Sequence, residues 1–74
     1  MDRGPLKEIL ETMIGSDREL DLTIMGNDDP IEIRNVVSVD SLHSAGGLRV
    51  TTRQNYIWLD ASHVSAAWQA RDDV

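Results

Sequence analysis

Seventy-four residues make one domain at most, of a size that buries only about 60–65% of its unfolded surface, and with no cysteine it has neither disulfides nor a thiolate metal site to support it. Thirteen acidic against seven basic residues give a formal net charge of −6, and the whole excess lies in residues 1–32, where nine acids face three bases. Nucleic-acid binding draws most of its free energy from Lys and Arg on phosphates, so a single lysine (Lys7) in an acidic chain disfavours RNA or DNA as a partner.

The start, MDRGPLKEIL, lacks the apolar core of a signal peptide, and no apolar run approaches the roughly 20 residues of a membrane span. A cytoplasmic protein without membrane attachment is expected. Pro5 suits the first position of a helix, and Leu6, Ile9, Leu10, Met13 and Ile14 form a one-sided stripe that predicts a helix over residues 5–14, ended by Gly15. So short a helix must dock on something.

Residues 19–25 alternate Leu20, Leu22 and Ile24 with Glu19, Asp21 and Thr23, the pattern of a half-buried strand. Gly26 to Asp29 read as a turn, and Pro30 opens the next strand. From there Ile31, Ile33, Val37 and Val39 keep one parity, while Asn35 breaks the series and Val36 falls on the polar parity. This predicts one long strand with a bulge or sharp bend near Asn35. Residues 41–46 are loop.

Residues 47–60, GLRVTTRQNYIWLD, form the clearest hairpin. With Gln54-Asn55 as a two-residue loop, one face pairs Leu48 with Ala61, Val50 with Leu59 and Thr52 with Ile57. The other pairs Arg49 with Asp60, Thr51 with Trp58 and Arg53 with Tyr56, all complementary. A one-residue slip would mix apolar with charged groups on both faces.

Residues 61–70 are ambiguous. As a helix they would be capped by Ser62 and bury Val64, Ala67 and Trp68; as a turn at 61–63 followed by a strand they would bury Val64, Ala66 and Trp68. The turn and strand are favoured, because four strands need a fifth to close. Residues 71–74 should fray. The expected fold is mainly β: one domain over 1–74, with a short N-terminal helix and a five-stranded small barrel over about 19–69.

The helix, LDLTIM, PIEIRNVVSVD, GLRVTT, YIWLD and ASHV together resemble the Hfq/Sm-like family of SH3-like small barrels, including a histidine, His63, just before the last strand. The resemblance implies a ring that binds RNA at the turns following Asp40 and Asp60, with His63 nearby. The chain departs from that family where its bending glycine would be Asn35, and where its basic and aromatic RNA-holding residues would be Asp60, Ala61 and Ser62. In fold outline and charge the chain is also similar to the acidic inhibitors of the bacterial termination factor Rho, which act by binding a protein.

Catalytic signatures are wanting. His43 and His63 have no third partner at metal-ligand spacing, Ser62-His63 adjacent in sequence is no nucleophile–base pair, and Gly46-Gly47 precedes a strand rather than a phosphate-cradling helix. No enzyme activity, cofactor or metal is expected. Tyr56 and Trp58, flanked by Arg49, Thr51 and Arg53, read either as cross-strand packing or as a flat surface that another protein covers, since Trp, Tyr and Arg carry most interface energy. The expected function is therefore a non-enzymatic acidic module or regulator that engages a protein, or associates with itself, through the hairpin face or an edge strand. The alternative is an RNA-binding ring using Asp40, Asp60 and His63.

Overall fold

Alternation of apolar and polar residues sets most of the architecture seen in the computed structural model, which describes residues 1–71. A helix α1 (Arg3–Glu11) is followed by β1 (Leu20–Ile24), β2 (Ile31–Ile33), β3 (Val36–Ser41), β4 (Gly47–Thr52) and β5 (Tyr56–Asp60). A single 3-10 turn (Ala61–His63) then leads into β6 (Val64–Trp68). The fold is mainly β with one short N-terminal helix, as the sequence predicts. The closed five-stranded barrel is not what forms: six strands make two three-stranded antiparallel sheets, ordered β2-β1-β6 and β3-β4-β5. The sixth strand arises because the single strand expected after Pro30 is split at Asn35, whose φ of 55° lies in the left-handed region that Asn tolerates better than most side chains.

The helix begins two residues before Pro5, which still lies in the first turn where its missing N–H costs nothing. It ends at Glu11, and residues 12–16 tighten into i→i+3 bonds, Met13 N–H to Leu10 O at 3.1 Å and Ser16 N–H to Met13 O at 3.0 Å, before Gly15 turns the chain at φ 80°. Tightening rotates Ile14 out of the stripe: Leu6, Leu10 and Met13 are fully buried, but Ile14 is exposed. The buried helix residues meet Leu20, Leu22, Ile33, Leu48, Val50 and Val64 in a single apolar cluster. Arg3 fastens the 42–46 loop to the helix start, donating to the carbonyls of Leu42 (3.1 Å) and Ser44 (2.6 Å).

Two bulges explain where burial departs from simple alternation. In β3 the pairing runs Val36 with Thr52 and then Ser38 with Thr51, so Val37 is the extra residue. Val36 and Val39 therefore face the core, and Val37, which alternation places inside, is exposed. In β6 the pairing passes from Val64 opposite Ile24 to Ala66 opposite Thr23, and Ser65 is the extra residue. The parity flips again: Val64 is buried, Ala67 packs on the core, and Ala66 and Trp68 face outward. Trp68, expected in the core, is 64% exposed. The frayed tail expected at 71–74 lies, apart from Arg71, outside the described residues. No helix among the described residues is long and apolar enough to cross a membrane.

Candidate protein-docking face

The hairpin of β4 and β5 forms with a register two residues away from the expected one. Arg49 stands opposite Trp58, Thr51 opposite Tyr56, Val50 opposite Ile57 and Gly47 opposite Asp60. The loop is Arg53-Gln54 rather than Gln54-Asn55, and Thr52 is the reason. Its hydroxyl accepts the N–H of Gln54 (3.1 Å) and of Asn55 (2.9 Å) and donates to Asn55 Oδ1 (2.6 Å), while its own N–H donates to the Asn55 carbonyl (2.9 Å). A slip of two preserves side-chain parity, so the faces survive even though every pair changes.

The outward face therefore carries Arg49, Thr51, Tyr56 and Trp58 as expected. Two rows cross the three strands: Asp40, Arg49 and Trp58 in one, Ser38, Thr51 and Tyr56 in the other. Arg49 sits in the middle. Its Nη2 donates to Asp40 Oδ2 at 3.1 Å, and its guanidinium carbon lies 5.9 Å from the centre of the Tyr56 ring, within cation–π range. Its Nε is buried and has no hydrogen-bond partner among the described residues. Tyr56 and Trp58 are 61% and 63% exposed, with ring centres 5.8 Å apart and planes tilted by 39°. These are aromatic pair distances, so the two rings hold each other in place over the sheet without being covered by it. Arg53, expected opposite Tyr56, is at the loop tip instead, where its backbone N–H donates to the carbonyl of Asn35 (3.1 Å).

The residues of the RNA alternative are separately employed. Asp40 holds Arg49. Asp60 caps the 3-10 turn, accepting from Ser62 N–H (2.9 Å) and Ser62 Oγ (2.7 Å), and these two bonds hold its carboxyl below the ordinary range. His63 is exposed, and its carbonyl accepts the N–H of Met25 at 2.8 Å. His43 is exposed in the 42–46 loop.

Sequence reasoning missed a second cluster, on the outer face of β1 and β2. Asp21 pairs directly across from Glu32, and the carboxylate oxygens of Glu19, Asp21 and Glu32 lie within 4.8 Å of one another. Arg34 bonds Glu19 through Nε (2.7 Å) and through Nη2, which also lies 3.8 Å from Glu32. Hydrogen bonding to Glu19, and then the charge of Glu19, raises the Glu32 carboxyl above its ordinary range. The same bond from Glu32, followed by Arg34, lowers that of Glu19. Loss of hydration raises Asp21, whose Oδ1 is buried with no hydrogen-bond partner among the described residues. Opposite Asp21 on its other side stands the exposed Trp68. The outward parity of Glu19, Asp21, Glu32 and Arg34 was visible in the sequence, but only the strand register brings them together.

No family model, no curated protein and no solved structure matches the chain.

Proposed function

We propose that this chain is a non-enzymatic binding module that docks another protein on the outward face of β3, β4 and β5. The observation that carries the reading is the pair Tyr56 and Trp58, each more than 60% exposed, packed against each other and near Arg49 on the outward face of a three-stranded sheet. Tryptophan, tyrosine and arginine dominate the binding energy of protein interfaces, because each offers a large rigid contact at low entropic cost. Arg49 is positioned in advance by Asp40, which removes part of the ordering cost on association. Thr51 and Arg53 complete the contact surface at its centre and tip. A net charge of −6 favours a basic partner, by steering its approach.

Photo-cross-linking tests this directly. A benzophenone side chain in place of Tyr56 should yield adducts with another polypeptide in source lysate, and the same group in place of Met25, exposed in the turn after β1, should not. Equal or absent adducts at the two positions would refute the assignment. The Sm-like ring is an outcome of a parallel titration with short A-rich and U-rich RNA at low salt. Silence is expected; micromolar binding that weakens with salt would replace the protein-docking reading with the RNA one.

A further inference from the structure

We infer that the free edge of β5 pairs antiparallel with β5 of a second copy of this chain, joining two β3-β4-β5 sheets into one of six strands. The inference adds a partner and a mode of contact to the docking reading; the pairing itself rests on the backbone and not on that reading.

The hydrogen-bond phase of the hairpin identifies which groups are free. Thr52 N–H bonds Asn55 O, and Ala61 N–H bonds Gly46 O at the other end. In an antiparallel ladder bonded pairs alternate, so the odd-numbered residues Ile57 and Leu59 bond to β4. Tyr56 and Trp58 direct their N–H and C=O groups away from it, and Asp60 its N–H, along the outer side of a strand that among the described residues is bonded to β4 alone, while the Asp60 carbonyl belongs to the 3-10 turn that Asp60 caps.

The other sheet edges are blunted and this one is not. β3 and β6 carry bulges, at Val37 and Ser65, and β2 is three residues long and preceded by Pro30. Over Tyr56 to Leu59, β5 has no bulge, proline, glycine or charged residue to discourage an added strand, and folded proteins seldom leave such an edge unprotected.

A second copy fits it by symmetry. With a two-fold axis at Trp58, Trp58 meets the partner's Trp58 in a bonded pair of free groups, and the free Tyr56 carbonyl meets the free N–H of the partner's Asp60. On the outward face no like charges oppose each other. On the inward face Ile57 meets the partner's Leu59, and both are only partly buried in the single chain. A shift of the pairing by one residue would set free groups against groups already bonded to β4. The joined sheet places the two Tyr56–Trp58 pairs side by side in one continuous aromatic surface.

Sedimentation equilibrium combined with residue-resolved amide exchange tests the pairing on the unmodified chain. Over about a hundredfold rise in concentration the mass should pass from monomer to dimer, and exchange at Trp58 and Asp60 should slow about tenfold or more. Ile57 and Leu59 amides should be protected at every concentration. A chain that stays monomeric would overturn the inference, and so would a dimer in which the Trp58 amide exchanges at the monomer rate. A monomer that still cross-links to another protein through Tyr56 would refute the pairing and leave the docking face standing. A dimer that cross-links only to its own copy would uphold the pairing and remove the separate protein partner.

Discussion

The backbone N–H of Arg53 donates to the carbonyl of Asn35 at 3.1 Å, tying the tip of the β4–β5 hairpin to the one non-glycine residue with positive φ among those described. Asn35 ends the β1–β2 sheet and begins the other, and this bond fixes how the docking face is presented relative to the rest of the chain. The side chain adds little, since its Nδ2 is 3.5 Å from Gln54 Oε1.

Asn35→Gly should therefore be close to neutral, and Asn35→Ala should destabilise by about 1 kcal/mol, the cost of holding a plain β-carbon in the left-handed region. Urea melts of the two variants beside the parent check this. An alanine variant as stable as the glycine one would show that the strain is absent.

The helix is held by its buried leucines rather than by its ends. Asp2 makes no side-chain cap, and nine residues are too few to persist alone. Leu10→Ala should cost about 2–5 kcal/mol, a large part of the stability of so small a domain, while truncation of exposed Ile14 should change it by less than about 0.5 kcal/mol. Equal effects at the two positions would place the helix elsewhere.

The bulge in β3 makes a sharper pair. Val36→Ala should lower stability by about 1–3 kcal/mol, and Val37→Thr should leave it within about 0.5 kcal/mol, although alternation in the sequence assigns them the other way round. Denaturant midpoints settle the order.

Glu32→Gln tests the acidic cluster. Glu32 and Asp21 hold their protons more tightly folded than unfolded, so each withdraws stability as pH rises from the ordinary carboxylate range through the raised folded value. Glu19, with its lowered carboxyl, acts in the opposite sense, contributing stability that is lost as pH falls. Removing the Glu32 charge should raise the melting temperature at neutral pH, with the gain shrinking in mild acid where Glu32 is already protonated. A variant less stable than the parent at neutral pH would mean that Glu32 chiefly serves Arg34.

What the sequence made legible was whatever depends on side-chain parity. Leu20 and Leu22, Leu48 and Val50, and the outward Arg49, Thr51, Tyr56 and Trp58 all stand on the faces that period-two patterning assigns. What it concealed depends on single inserted residues. Val36 and Val37 are chemically alike, so nothing in the composition tells which one is extruded, and Ser65 carries no mark that would have turned Trp68 outward. The hairpin register turned on the Thr52 hydroxyl taking the amides of Gln54 and Asn55, a local competition that cross-strand pairing preferences alone do not resolve. The acidic cluster was hidden for the related reason that neighbours across strands are invisible until the register is known.

The central claim is tested most directly by Trp58→Ala, read in two assays on the same preparation. Trp58 faces outward opposite Arg49, so the denaturant melt should shift by no more than about 1 kcal/mol, the worth of a cross-strand contact, instead of the roughly 3–5 kcal/mol of a core cavity. Binding of the polypeptide identified through the Tyr56 cross-link should weaken by about 2 kcal/mol or more, close to thirtyfold in affinity. A variant that melts with the parent and binds as tightly as the parent would contradict the account, because the aromatic face would then be merely solvated.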